Sequence, residues 1–247
     1  MKPFFWYFGG KGRLAKRYPK PKYGKIIEPF AGAAGYAMKY ASMDVDLYDV
    51  DPIVYGMWSY LIQAKPAEIR RLPADVWNVD DLHVCQELKW LVGYSLSTGK
   101  KGPFKRPSAW KESHPESNFC GWGASMRERI AQQLPYIRHW KIFNKSYESV
   151  PNEKATWFID PPYVEAGKHY RYSFNDYKNL ASFCEDRRGL TIVCEAEGAQ
   201  WLPFLSLGMV RGQARKHFRK EDFYGEVVWV HDDDPKGVRW FTHPDML

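Results

Sequence analysis

The chain has 247 residues, 45% of them hydrophobic and 26% charged, with a net charge of +7 at pH 7 and a pI near 9.1. That length and balance suit a globular chain, either one large domain or a domain carrying an insertion, and argue against disorder. No uncharged stretch approaches the roughly 18 residues a bilayer span needs, so no membrane partner is expected, and the basic excess suits a polyanion without identifying one.

The N-terminus runs from Met1-Lys2-Pro3 through aromatics to Tyr7-Phe8-Gly9-Gly10-Lys11. It lacks a long apolar segment with a small-residue cleavage site, so it is not read as a secretory signal. Lys25 to Phe30 reads as a short buried strand, and Ala31-Gly32-Ala33-Ala34-Gly35 as the opening of a helix through Ala41. A strand, a turn of small residues and a helix start let a ligand approach the backbone and meet free N–H groups. Val45 to Tyr48 reads as the next strand, ending in Asp49, where a carboxylate can hold ribose hydroxyls. Pro52 suits the first position of a helix to about Gln63. Neither G-x-G-x-x-G nor G-x-x-x-x-G-K-[ST] occurs, so pyrophosphate or triphosphate cradling is not signalled.

From about Lys65 to Pro135 the strand pattern lapses, and this stretch reads as an inserted, mostly helical or irregular subdomain. Within it Lys100, Lys101, Lys105, Arg106, Trp110 and Lys111 interleave charge with aromatics and turns. Such a mixture offers phosphate contacts and stacking or wedging rings, although a solvated basic loop around a buried Trp has the same composition.

Ala155 to Ile159 is an apolar strand running into Asp160-Pro161-Pro162-Tyr163. The two prolines fix φ and remove N–H groups, leaving a stiff turn rich in carbonyls. A carboxylate, proline carbonyls and a ring at such a turn can accept both hydrogens of an exocyclic amine and stack on the ring that bears it. An ordinary rigid loop start has the same look. His169 to Tyr172 follow, with Tyr170 or Tyr172 placed to close over a base or to pack on the next helix. Helices are predicted at about Tyr177–Arg188 and Ala199–Leu207, and strands at Leu190–Cys194 and Val227–Val230; Glu195 and Glu197 read as structural or solvated. A basic stretch from Arg211 through Lys220 suits either a backbone contact or a surface loop. Strands alternating with helices imply an α/β fold with a mainly parallel sheet and sites at its carboxyl edge. Cys85, Cys120, Cys184 and Cys194 are widely spread with no C-x-x-C pair. No metal site or disulfide framework is expected, and a reducing cytoplasm is the natural home.

In order and spacing, Tyr7-Phe8-Gly9-Gly10-Lys11, Glu28-Pro29-Phe30-Ala31-Gly32-Ala33-Ala34-Gly35, Tyr48-Asp49-Val50-Asp51 and Asp160-Pro161-Pro162-Tyr163 resemble the motifs of the Dam-type DNA adenine-N6 methyltransferases. The likeness is to the alpha group, whose cofactor motifs precede the catalytic one, and it covers most of the chain outside its middle. It implies a Rossmann-like methyltransferase fold over residues 1–64 and 136–247, with a target-recognition subdomain at 65–135. The implied donor is S-adenosylmethionine, which leaves as S-adenosylhomocysteine. Tyr7, Lys11, Phe30, Gly32, Asp49 and Asp160 match its binding positions, and Asp160, Pro161, Pro162 and Tyr163 match the catalytic turn. The implied substrate is a flipped adenine in double-stranded DNA, with the enzyme a monomer or a dimer on DNA in a prokaryotic or phage-infected cell. Any restriction endonuclease would be a separate chain. One departure is visible: Ala34 stands where the family has its second glycine, a change expected to be harmless if that position is helical. The family's target-recognition segments are not found, so no recognition sequence carries over. Methylation of an RNA adenine or a DNA cytosine amine, and a non-catalytic DNA-binding protein, are the alternatives; Asp at the head of the catalytic turn favours adenine.

Overall fold

The computed structural model describes residues 1–96, 102–108, 113, 121–164, 172, 174–211 and 223–234. Its centre is a seven-stranded sheet formed by β1 (Lys25–Glu28), β2 (Asp44–Tyr48), β3 (Lys141–Phe143), β4 (Ala155–Ile159), β5 (Gly189–Ala196), β6 (Leu205–Arg211) and β7 (Phe223–Asp232). The spatial order is β3-β2-β1-β4-β5-β7-β6. The first five neighbours run parallel, while β7 is antiparallel to both β5 and β6. This α/β arrangement is compatible with a Rossmann-like fold.

Near-continuous apolar runs are what a parallel strand covered on both faces requires. Along β4, Phe158 enters one hydrophobic cluster while Ala155, Trp157 and Ile159 enter the other. On β5, Leu190, Ile192 and Cys194 face the first and Val193 the second. The first, larger layer holds α1 (Pro52–Gln63), α2 (Pro66–Arg71), α3 (Gln86–Leu96) and α4 (Ala124–Gln133), with α2 packed on α4 and α3 on α1. Residues from 65–135, among them Ile69, Leu91 and Ile130, are buried in the same cluster as Ile26 of β1 and Phe158 of β4. Opposite lies α5 (Tyr177–Glu185), which buries Leu180 and Cys184 against Trp157 and Val193.

Two predicted elements differ. The helix expected over Ala31–Ala41 is a turn followed by a short 3-10 segment, Ala37–Tyr40. Gly32 and Ala34 take φ of +44° and +48°, which a right-handed helix excludes. The helix expected over Ala199–Leu207 is instead a loop entering β6. Pro203 cannot donate within a helix, and from Leu205 the backbone finds partners on β7. The sheet's far edge is therefore antiparallel, where helix alternation pointed to parallel strands. The short β3, half-exposed and beyond the 3-10 turn at Leu134–Ile137, shows no clear period in the sequence. Among the described residues no helix is long and apolar enough to cross a membrane.

Candidate active site

From β1 the chain passes to β2 and β3 on one side, whereas β4 leads to β5 on the other. Such a topological switch point leaves a crevice at the strands' carboxyl ends. A cavity of about 520 Å3 lies at the carboxyl ends of β1 and β4, within the usual range of roughly 300–1,000 Å3 for small-molecule sites.

The turn after β1 forms one wall. A Cβ on Gly32 would lie 3.0 Å from the Tyr7 ring, so the missing side chain is what lets that ring rest on the turn. A Cβ on Gly35 would meet the Gly12 nitrogen at 2.7 Å, so the N-terminal segment crosses the turn backbone to backbone. Asp49 ties this wall to β2: its Oδ2 accepts from the Gly32 N–H at 3.0 Å and its Oδ1 from the Asp51 N–H at 2.9 Å. Asp51 in turn accepts from the Ile53 N–H, capping α1 just before Pro52. Burial pushes the Asp49 carboxyl up to about 6, against these backbone donors. Glu28 is more deeply buried and accepts from the Ala37 N–H at 2.7 Å; burial lifts its carboxyl to about 8.

The turn after β4 forms the floor. Asp160 Oδ1 pairs with the buried Lys11 ammonium at 2.9 Å, and Lys11 also donates to the Gly9 carbonyl at 2.8 Å. Burial raises the Asp160 carboxyl while Lys11 opposes the rise. The Tyr177 hydroxyl donates to the Pro162 carbonyl at 2.7 Å, pinning the turn to α5. Beyond it Glu195 accepts from the Val164 N–H and the Trp201 indole, and so has the structural role expected of it.

Tyr7, Lys11, Phe30, Gly32, Asp49, Asp160 and Pro162 all line this one cavity. Pro161 and Tyr163 lie in the same turn but outside the lining. The Tyr163 ring is buried, carries Lys11 at 4.5 Å from its centre and sends its hydroxyl to Glu226 at 2.6 Å. Tyr172 lines the cavity, whereas Tyr170 falls outside the described residues. Lys105 and Arg106 are exposed and away from the cavity, Lys105 pairing with Asp80 at 2.8 Å. Lys100, Lys101, Trp110 and Lys111 lie outside the described residues, as do Gly212 to Lys220 of the later basic stretch. No group of residues able to hold a metal ion occurs among the described ones.

Several lining residues gave no functional signal in the sequence. Phe30 stacks on Tyr147 at 5.5 Å between centres and meets Phe174 edge-on at 5.9 Å, forming an aromatic wall from three distant segments. Asp176, N-cap of α5, and Glu148 complete a rim of carboxylates. In all, Asp49, Asp51, Glu148, Asp160 and Asp176 line the cavity against one lysine, Lys11, among the described residues, while Glu28, lifted to about 8, keeps its proton at neutral pH. Such a field favours a cationic ligand and opposes a polyphosphate.

No protein-family model matches the chain, and no curated protein does. Among solved structures, it is similar to a conserved hypothetical protein from Streptococcus pyogenes, at 9% identity and a TM-score of 0.35, covering 85% of this chain and 86% of that one. A likeness that remote carries no weight for the site.

Proposed function

We propose that this chain is an S-adenosylmethionine-dependent DNA methyltransferase acting on the exocyclic amine of adenine. The observation that carries the reading is the convergence of four motifs, spread from Tyr7 to Tyr163, on one acid-rimmed cavity at the sheet's switch point. The donor set fits the cofactor. Asp49 already takes one N–H on each oxygen and has lone pairs left for ribose hydroxyls. Phe30, Tyr147 and Phe174 offer apolar faces to an adenine, and the carboxylate excess suits a sulfonium ion. When bound, that cofactor supplies an activated methyl group.

The rest is the protein's own chemistry. The C6 amine of adenine has its lone pair spread into the ring, so it is a weak nucleophile. Asp160 accepts one of its hydrogens and the Pro161 carbonyl the other, which favours a pyramidal nitrogen and aims the lone pair; as the N–C bond forms and the C–S bond breaks, the amine proton held by Asp160 passes to its carboxylate and on to solvent. Lys11 holds Asp160 in place, so positioning and electrostatics carry the step more than a strong base does. A base within a duplex must be flipped out to reach this turn, at a cost of a few kcal/mol. Tyr172, exposed and in the cavity lining, offers the stacking face that the buried Tyr163 does not.

The test is transfer of a tritiated methyl from S-adenosylmethionine to duplex DNA, single-stranded DNA and RNA. Label in duplex DNA, located on adenine after digestion, is the expected result. Labelling of RNA alone would move the substrate, and a folded protein that binds duplex but labels no nucleic acid would remove the enzyme reading.

A further inference from the structure

Glu226 stands on β7, beyond the basic stretch, where nothing in the sequence singles it out. Because β7 runs antiparallel and pairs Glu226 with Ala196, its early residues return to the carboxyl edge of β5, beside the catalytic turn. The side chain is fully buried. One oxygen, Oε1, accepts two hydroxyls, from Tyr163 at 2.6 Å and Tyr18 at 2.7 Å, and lies 4.0 Å from the Lys11 ammonium. The other, Oε2, is buried with no hydrogen-bond partner among the described residues. Lys11 thus stands between two carboxylates, Asp160 at 2.9 Å and Glu226 at 4.0 Å, with the Tyr163 ring beneath it.

One ammonium shared by two buried anions serves each less fully than it would serve one. Asp160 then keeps more of its strength as a hydrogen-bond acceptor than in an exclusive ion pair. We infer that Glu226 is a positioning residue for the proposed methyl transfer: it draws on Lys11 and anchors Tyr163, leaving Asp160 a strong acceptor for the target amine. This rests on the methyltransferase reading for its purpose, though not for its geometry.

The groups facing Glu226 are Lys11 and Tyr18 from the N-terminal segment, Asp160 and Tyr163 from the turn after β4, and Cys194 from β5. Burial pushes the Glu226 carboxyl up, while Lys11 and the two hydroxyls pull it down and Asp160 raises it. The carboxylates therefore titrate as a coupled pair.

The test reads Asp160 directly. Protein labelled with 13C at the aspartate carboxyls is titrated by NMR, the Asp160 signal being assigned by its loss in Asp160→Asn. Glu226→Gln keeps an oxygen for the two tyrosines and removes the charge. The Asp160 midpoint is expected to fall by about one pH unit, and the acid limb of methyl transfer to move down with it, with kcat reduced and the KM for S-adenosylmethionine little changed. Tyr18→Phe, which removes one donor, should give a smaller shift of the same sign and keeps the idea testable if Glu226→Gln does not fold. An unmoved Asp160 midpoint in a folded variant would make Glu226 merely structural. A wild type that transfers no methyl defeats the methyltransferase reading instead, while the NMR shift still decides whether Glu226 governs Asp160.

Discussion

The turns after β1 and β4 leave neighbouring parallel strands at the same edge, yet they are built in opposite ways. The first, Glu28 to Gly35, uses small residues and two left-handed backbone positions, and its contacts are to backbone: Tyr7, Gly12 and Asp49 press on it because side chains are missing. The second, Asp160 to Val164, has two prolines, and its polar groups are locked by Lys11, Tyr177, Glu226 and Glu195. One turn makes room and the other fixes direction. Their carboxyls differ accordingly, since Asp160 has a lysine at 2.9 Å whereas Glu28 and Asp49 are held by backbone N–H groups.

If the second turn supplies direction, its acid carries the largest effect. Asp160→Ala should lower methyl transfer by about 10²–10³-fold or more while the protein still folds, because Lys11 keeps Glu226 as its partner; cofactor binding should weaken far less than transfer, Asp160 being one of several lining residues. Single-turnover labelling with a parallel binding titration checks this. Near-normal transfer would strip Asp160 of its role and leave the turn a rigid loop.

The contrast in counter-ions predicts a pH-dependent effect at the first turn. Glu28 has a folded-state value of about 8, raised by burial above its ordinary value of 4.5. A raised carboxyl means the folded state holds its proton longer than the unfolded state does. Its stability contribution is therefore lost as pH climbs from about 4.5 to about 8 and levels off above that. Glu28→Gln should be nearly as stable as wild type at pH 5 and more stable by about 2–4 kcal/mol at pH 8, given roughly 1.4 kcal/mol for each pH unit separating the folded and unfolded values. Urea unfolding at both pH values reads the difference; a gap that does not widen with pH would mean the folded site does not raise Glu28.

Close backbone contact is the other property of the first turn. Gly35→Ala places a methyl 2.7 Å from the Gly12 nitrogen and 3.0 Å from Lys11 backbone atoms, where no flexible side chain can give way. A loss of about 1–3 kcal/mol is expected. The cofactor should also bind more weakly, because Lys11 sits on the displaced segment. Unchanged stability would show that the N-terminal segment is not seated there.

The sequence made these two turns legible to different degrees. The turn after β4 was readable as a turn because proline geometry is local: an apolar strand followed by Asp160-Pro161-Pro162 can end only in a stiff, carbonyl-rich loop. The strands β1, β2, β4 and β5 were readable for the same kind of reason, as short buried runs. Glu226, Tyr147 and Phe174 were not readable as site residues, since they reach the site only through strand order and loop packing over long separations. The antiparallel edge was hidden because a β6 strand starting beside Pro203 has no helical or strand period that decides it. The first turn was misread as a helix start because its three alanines have good helix propensity, whereas close approach by the N-terminal backbone sets the conformation.

Ala34 carries the smallest and most local test. The residue is fully buried with φ +48°, so the position is left-handed and not the helical one at which alanine would be harmless. A non-glycine residue there costs roughly 1–2 kcal/mol, while glycine loses about 0.5–1 kcal/mol more chain entropy on folding than alanine. The first term wins by a small margin. Ala34→Gly should therefore stabilise the protein by about 0.5–1 kcal/mol, seen as a higher urea midpoint with an unchanged slope. The same change should tighten cofactor binding modestly, by relieving strain in the wall that Tyr7 and Asp49 hold. Destabilisation instead would mean that the alanine methyl packs well enough in its buried pocket to outweigh its backbone, and that this turn owes less to left-handed geometry than its partner across the cavity owes to proline.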